Sequence, residues 1–441
     1  MAASVDVVVV GAGAAGAVVA ARLAEHPHRS VLLLEAGPDH TSARTPASVA
    51  GPDFLLATRE PGMVHDGLVA VRTAGQPPRP YLRGRGVGGS SAVNAMVLLP
   101  GEPDDYDEWA ANGAPDWAWR DLSPWFSRVA VRAAVVATVG PVGGALLAAH
   151  PSAERARLAL GPDGRRISTN DAYLEPMRAC SNLVVHGNAV VDRVLFDGRT
   201  ARGVCLADGS EIEAGAVVVC AGAIHSPALL QRSHVDIPGI GDGLQDHPSF
   251  PITLRLRQPG RFAPAVTALL RDSYLDSHDL QVLALEQADP ALPELAVLLG
   301  AYMRPCSSGS VRIVSSDPLQ HPAVDFAMLS DERDMAGMRA AVRLVERIAA
   351  SPEMSAIGEV LPYDASPSGI RAGLGDYVHA SGGCALGVVL EPDCSLRGYR
   401  RLWVCDASVF PRVPRANTQL PVMAVAERVS AMLSGVVPAS L

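Results

Sequence analysis

Two stretches of this 441-residue chain hold residues whose types and spacing could do chemistry. Near the start, Gly11, Gly13 and Gly16 stand in a Gly-x-Gly-x-x-Gly pattern, with Glu35 about 20 residues further on. Such a set can hold a dinucleotide. Gly11 permits a tight turn, Gly13 lets the backbone approach a pyrophosphate, Gly16 lets a helix pack closely on a strand, and Glu35 can accept hydrogen bonds from ribose hydroxyls. Near the end, His379 precedes Gly382, Gly383 and Gly387, and Asn417 stands just before an apolar helical pattern. An imidazole with an ordinary pKa of about 6.5 can take up a proton near neutrality, whereas a carboxamide cannot titrate and can only orient a partner. A lone histidine of this kind is more often structural than catalytic, and the glycine fingerprint alone does not separate FAD from NAD.

The elements that must position these residues are legible around them. Val5–Val10 is a short apolar run rich in valine and suits a buried parallel strand. A helical stretch over 17–25 follows the glycines, and a second strand over 30–34 ends at Glu35. The strand–turn–helix–strand–acid order predicts a dinucleotide site, with unpaired N–H groups at the helix N-terminus facing the phosphates. A second loop, Arg83 to Asn94, has four glycines in six residues; Ser90, Ser91 and Asn94 can supply hydrogen bonds there. Val217–Cys220 reads as a buried strand running into a turn, then a helix capped by Ser226 with Pro227 at its first position. Strands are expected within 281–303 and over 310–313 and 323–326, with a helix over 331–349 behind them. The last helix begins near Pro421 and buries Val422, Val425, Ala426, Val429 and Leu433, spaced by three and four.

These segments, in this order, resemble the glucose–methanol–choline (GMC) oxidoreductases. The 83–94 loop with Asp104–Trp109 is similar to the family's first signature, and Val217–Pro227 to its second. Arg166–Leu174, Gly241–Pro248, the His379 loop, Asp406-Ala407-Ser408 and Asn417–Pro421 match further family segments. The resemblance implies an α/β fold in which a Rossmann-like FAD domain is interleaved with a smaller, sheet-based α+β substrate domain. The FAD domain would comprise 1–110, 165–250 and 373–441, and the substrate domain 111–164 and 251–372.

The same resemblance implies that His379 and Asn417 are the catalytic pair. His379 would take the hydroxyl proton of an alcohol while a hydride passes to the flavin N5, and the last helix would point its N-terminus at the flavin ring. It also implies a cofactor-binding set beyond the fingerprint glycines and Glu35. Ala14, Ala15 and Ala36 belong to the first turn; Arg85, Gly88, Gly89, Ser90, Asn94 and Ala95 to the second loop. Val191, Ala221 and Gly222 come from the middle of the chain, and Asp406, Ala407, Thr418 and Gln419 from its end. His247, in Leu-Gln-Asp-His-Pro, is mainly structural in the family.

The chain departs from the family pattern in informative places. It is short: the segment after Ser233 is trimmed and 129–160 is compact. Gly383 stands where threonine is common. Val93 occupies the position where some members carry a histidine bonded to the flavin, so FAD is expected to be non-covalent. Trimmed loops would suit a bulky substrate, and the compact length resembles the mycofactocin-associated members, which re-oxidise a peptide-derived redox carrier. Competing readings are a dehydrogenase of choline or a small alcohol, and a hydroxynitrile-lyase-like protein using the fold without redox chemistry. The electron acceptor would be a quinone, a carrier or the respiratory chain.

Composition narrows the rest. The net charge is −9 and all 37 basic residues are arginine, without a basic tract, which argues against nucleic acid as a partner. Seven cysteines without a Cys-x-x-Cys argue against a disulfide framework or a zinc–thiolate site. No apolar run approaches the ~20 residues of a membrane-spanning helix. A cytoplasmic protein is expected, with attachment to the inner face of the membrane compatible with these features. Tyr302 and Arg304, near a strand end, are expected to serve packing rather than a pocket.

Overall fold

The computed structural model describes residues 5–437. Val5–Val10 forms β1 and Gly16–Ala24 forms α1, one residue earlier at each end than the apolar pattern suggests. Val31–Leu34 forms β2, parallel to β1. Further along, Leu183–His186 (β3), Val191–Asp197 (β4), Thr200–Leu206 (β5) and Glu211–Val219 (β6) enter the same sheet in the order β3-β2-β1-β6-β5-β4. β1, β2 and β3 run parallel, and β6 runs parallel to β1 with Val10 opposite Val219. All but the first residue of β1 are buried, as expected for a strand with neighbours on both edges and cover on both faces.

A second, antiparallel sheet is built from Ser249–Leu256 (β7), Val266–Asp272 (β8), Leu280–Leu285 (β9) and Leu295–Tyr302 (β10). Their order is β7-β10-β9-β8, with Gly358–Val360 on the β7 edge and Ala153–Arg155 on the β8 edge. The expected strands near 310 and 323 form, but in a small sheet of three with Asp242–Leu244. The chain then returns to the first sheet as β11 (Leu402–Val404), parallel to β6. Strand β6 is thus shared: its first residues pair with β5, and Val217–Val219 pair with β11.

Four helices matter for the site and its support. Helix α2 (Pro103–Ala111) starts with a proline and a capping box between Glu102 and Asp105. Helix α3 spans Gly222–Arg232, one turn earlier than a start at Pro227 would give. Ser226 is therefore not the cap. Its hydroxyl accepts from the Ala221 N–H and donates to Asp406, while Asp406 also accepts from the Gly222 N–H. A carboxylate from a distant segment does the capping, and Pro227 sits inside the helix. Helix α4 (Glu332–Ala349) lies across β10, with Gly337 so close to the Tyr302 ring that a Cβ would come within 2.6 Å of it. Tyr302 and Arg304 serve packing as expected, Arg304 pairing with Asp276 and Glu108. Helix α5 (Gln419–Val436) starts two residues before Pro421 and packs on α1, joining the two ends of the chain. No helix among the described residues is long and apolar enough to cross a membrane.

Candidate active site

A cavity of about 700 Å³ opens between the C-terminal ends of β1 and β2 and the face of the second sheet. Its volume lies within the range of about 300–1,000 Å³ that holds small ligands. At one end lie Gly11, Gly13, Ala14 and Ala15 from the turn after β1, with Glu35 and Ala36 from the end of β2. Gly11 has φ +97° and sits so close to Cys220 that a Cβ would be 2.6 Å from its carbonyl oxygen. The second loop meets the first backbone to backbone: a Cβ on Gly89 would lie 2.7 Å from the Cα of Gly13. Arg85, Gly89, Ser90, Asn94 and Ala95 of that loop line the cavity. So do Val191, Ala221 and Gly222, and the C-terminal residues Asp406, Ala407, Thr418 and Gln419.

Two expected cofactor residues do not reach the cavity. A Cβ on Gly16 would lie 1.8 Å from the Gly11 carbonyl oxygen, so this glycine is spent on packing α1 against the turn. Gly88, at φ +93°, turns the chain into a short 3₁₀ helix and donates its N–H to the Ala12 carbonyl. Both act one step removed, by shaping the loops that do line the cavity.

The nucleotide end fits the group that the glycine pattern implies. The Glu35 carboxylate accepts from the N–H groups of Ala12, Gly37 and Gly86 at 2.8–2.9 Å. An ionised carboxylate has about four acceptor positions, so one remains for a ribose hydroxyl. Towards the other end, Asn417 Oδ1 and Gln419 Nε2 are buried without a hydrogen-bond partner although both residues line the cavity. Buried polar atoms are normally paired, and two orphans on one cavity wall mark where a polar ligand belongs.

His379 and Asn417, 38 residues apart, meet at that end. His379 Nε2 is 3.4 Å from Asn417 Nδ2, and each residue is less than a tenth exposed. Asn417 stands two residues before α5, as expected. The segment carrying His379 is held hard. Its N–H donates to Asp246 at 2.9 Å, and the Tyr81 hydroxyl donates to the same carboxylate at 2.8 Å. Val378, just before it, is a β-branched residue at φ +54°, a conformation that costs free energy and persists only under tight constraint. Arg83 donates to the Val378 carbonyl.

The sequence reading left His247 aside, but the structure places it against His379. The two Nδ1 atoms are 3.0 Å apart with the rings perpendicular. Burial pushes His379 well below the ordinary histidine value, with the nearby His247 and Arg83 adding to the effect. Burial likewise lowers His247 to about 3. Asp246 is raised to about 7, first by burial and then by Asp376, against the Tyr81 and His379 hydrogen bonds and Arg83. The adjacent Asp246-His247 pair in a family-like segment was the one sequence signal for this support.

Comparison with known proteins gives the family. The GMC oxidoreductase family models match residues 5–156 and 156–249 for the N-terminal part and 305–426 for the C-terminal part. The chain is 30% identical to a 5-(hydroxymethyl)furfural oxidase of Methylovorus sp. (strain MP688), covering 96% of this chain and 98% of that protein. It is 28% identical to an oxygen-dependent choline dehydrogenase of Yersinia pseudotuberculosis serotype IB (strain PB1/+), covering 98% and 94%. The crystal structure of pyridoxine 4-oxidase from Mesorbium loti superposes with a TM-score of 0.89 at 25% identity, covering 97% of this chain and 99% of that one. The furfural oxidase alignment runs over 528 positions against the 441 residues here, so that relative carries segments this chain lacks. On these matches the chain belongs to the GMC oxidoreductases, a family of FAD-dependent oxidoreductase enzymes.

Proposed function

We propose that this enzyme oxidises the CH–OH group of an alcohol, with His379 as the base and Asn417 as the group that orients the hydroxyl. The observation that carries the reading is the meeting of these two side chains at one end of a glycine-cradled cavity, with the imidazole held neutral by burial. FAD, when bound, supplies the acceptor for the two electrons of the carbinol carbon. It would be held by the Gly11–Ala15 turn and the N-terminus of α1 at its phosphates, by Glu35 at its ribose, and by Ala221, Gly222, Asp406 and Ala407 along its length. Val93 offers no nucleophilic side chain for a covalent link.

The residues of the chain set up the proton transfer. One nitrogen of the His247–His379 contact must carry the proton and the other accept it. The proposal places the His247 proton on Nε2, the nitrogen outside the His379 contact. With that proton on Nε2, His247 accepts at Nδ1, and His379 donates from its own Nδ1. The Nε2 of His379 is then an unprotonated acceptor beside Asn417. It takes the substrate proton, and an N–H of the Asn417 amide donates to the substrate oxygen and holds it in place.

The second sheet contributes an aliphatic wall to the cavity, made of Val266, Leu283, Leu285 and Leu299. That wall suits an apolar alcohol better than a quaternary ammonium, which is recognised by aromatic cages. The missing segments favour a bulky substrate, including a reduced peptide-derived carrier of the mycofactocin type, with a quinone or carrier protein as the final acceptor. The test is anaerobic bleaching of the bound flavin by a panel of alcohols spanning size and polarity. His379→Ala should slow bleaching by about 10²–10⁴-fold. Rates equal to wild type would remove His379 from its role, and no bleaching by any alcohol, with cyanohydrin cleavage instead, would favour the lyase reading.

A further inference from the structure

A second group of histidines lies on the wall of the same cavity, and the proton transfer at His379 does not use it. His65 comes from the loop after the short Phe54–Ala57 helix, His225 from the first turn of α3, and His321 from the loop preceding Ala323–Asp325. One ring nitrogen of each lies within 4.8 Å of the other two, and all three residues are half-buried and line the cavity. We propose that His65, His225 and His321 form a binding site for one divalent transition-metal ion of the zinc–copper class, with an open fourth position facing the cavity.

The geometry suits such an ion. His225 Nε2 and His321 Nδ1 face each other at 3.2 Å. Tetrahedral zinc with bonds of about 2.0–2.1 Å to imidazole sets its donor nitrogens about 3.3 Å apart. His321 Nε2 lies 3.0 Å from the Asp66 carbonyl oxygen, a bond in which the ring must be the donor. That fixes Nδ1 of His321 as the lone-pair nitrogen directed at the cluster, as backbone carbonyls commonly orient metal-ligating histidines. His65 stacks on His225 at 4.4 Å and meets His321 edge-on at 5.6 Å, so each ring is braced by the others.

The donor set selects the kind of ligand. All three donors are imidazole nitrogens, which bind a metal through their lone pairs. Arg83, Arg85 and Arg232 act on the cluster, and none of its three ligand residues is a carboxylate. A hard cation held by charge alone is therefore excluded in favour of one that bonds strongly to nitrogen.

The test uses the full-length, FAD-loaded protein without a polyhistidine tag, and cobalt(II) as probe. Titration should give one equivalent with the visible bands of tetrahedral cobalt, displaced by zinc, and zinc should raise the melting temperature by several degrees. His321→Ala should weaken binding by at least about 100-fold. His379→Ala should leave the cobalt spectrum in place, which separates this site from the buried Asp246, His247 and His379 cluster. Should His321→Ala fail to retain FAD, His65→Gln gives the same readout. The proposal is overturned by the absence of stoichiometric binding at micromolar metal, by equal affinity in the His65 and His321 variants, or by a signal lost in His379→Ala. The result does not depend on the alcohol reading, because the readout is the metal's own spectrum.

Discussion

At the residue scale, the proposed chemistry turns on which nitrogen of His379 carries its proton, and in that proposal the contact with His247 sets it. A positioning role makes a specific prediction. His247→Phe keeps a ring in the fully buried space but removes both nitrogens, leaving the His379 Nδ1 without a partner. We expect kcat to fall at least about tenfold. The acid limb of kcat/KM should also move, because the protonated imidazole is inactive and His247 is, after burial, the largest influence on the His379 value. The groups facing this pair are Asp246, Tyr81, Arg83, Tyr377 and Asn417, and all stay in place in the variant. His247→Asn, which can still accept a hydrogen bond, should recover part of the rate. A pH–rate profile superimposable on wild type would mean that His247 only fills space. The residues legible in the sequence were those marked by their local backbone. Gly11, Gly13 and Glu35 sit in a fixed spacing, and His379 and Asn417 sit in family-like segments. His247 and His225 also sit in family-like segments, but nothing local showed what either would face. Their partners come from segments more than 90 residues away in the chain, and a lone histidine in sequence shows nothing of what will face it.

At the element scale, the two glycine loops form a single device. Each alone is a turn, and together they bring the glycine backbone of Gly11, Gly13 and Gly89 to the wall of the cavity. The closest approach, Gly89 over Gly13, predicts that Gly89→Ala fails on two counts. Its φ of +50° is strained for alanine, and the new methyl would be driven to 2.7 Å from a backbone carbon. We expect the purified variant to lose most of its FAD, read as the ratio of flavin to protein absorbance. Gly198→Asn, at φ +57° with nothing within 4 Å, should keep full occupancy. Equal flavin content in the two variants would show that the loops do not cradle the cofactor. The start of α3 shows why boundaries were harder to read than elements. Ser226-Pro227 is a sound local start signal, but Asp406, 184 residues from Gly222, supplies a better acceptor to the Gly222 N–H and moves the helix start back by a turn. Tertiary contact outranked local propensity there.

At the scale of the whole molecule, the two sheets must keep a fixed relation if an aliphatic wall from one is to face a polar end built on the other. Arg415, two residues before Asn417, is the clearest tie. Its Nε donates to Asp105 of α2 at 2.7 Å, its N–H donates to the same carboxylate, and Nη1 donates to the Ser277 carbonyl between β8 and β9. The Arg415 and Asp105 side chains are almost fully buried. Arg415→Met removes one charge and leaves the other buried, which costs about 3–5 kcal/mol. The pH dependence has a definite sign. Burial already raises Asp105 despite Arg415, and without the guanidinium it rises further. A carboxyl whose folded value is raised holds a proton that the unfolded chain has released, so stability falls as pH rises through the interval between the two values. The variant's denaturation midpoint should therefore trail wild type by more at pH ~8 than at pH ~5. Because the same segment carries Asn417, the surviving folded enzyme should also show a raised KM for its alcohol. A deficit independent of pH, with KM unchanged, would mean that Arg415 packs the interior without holding the catalytic segment against the second sheet.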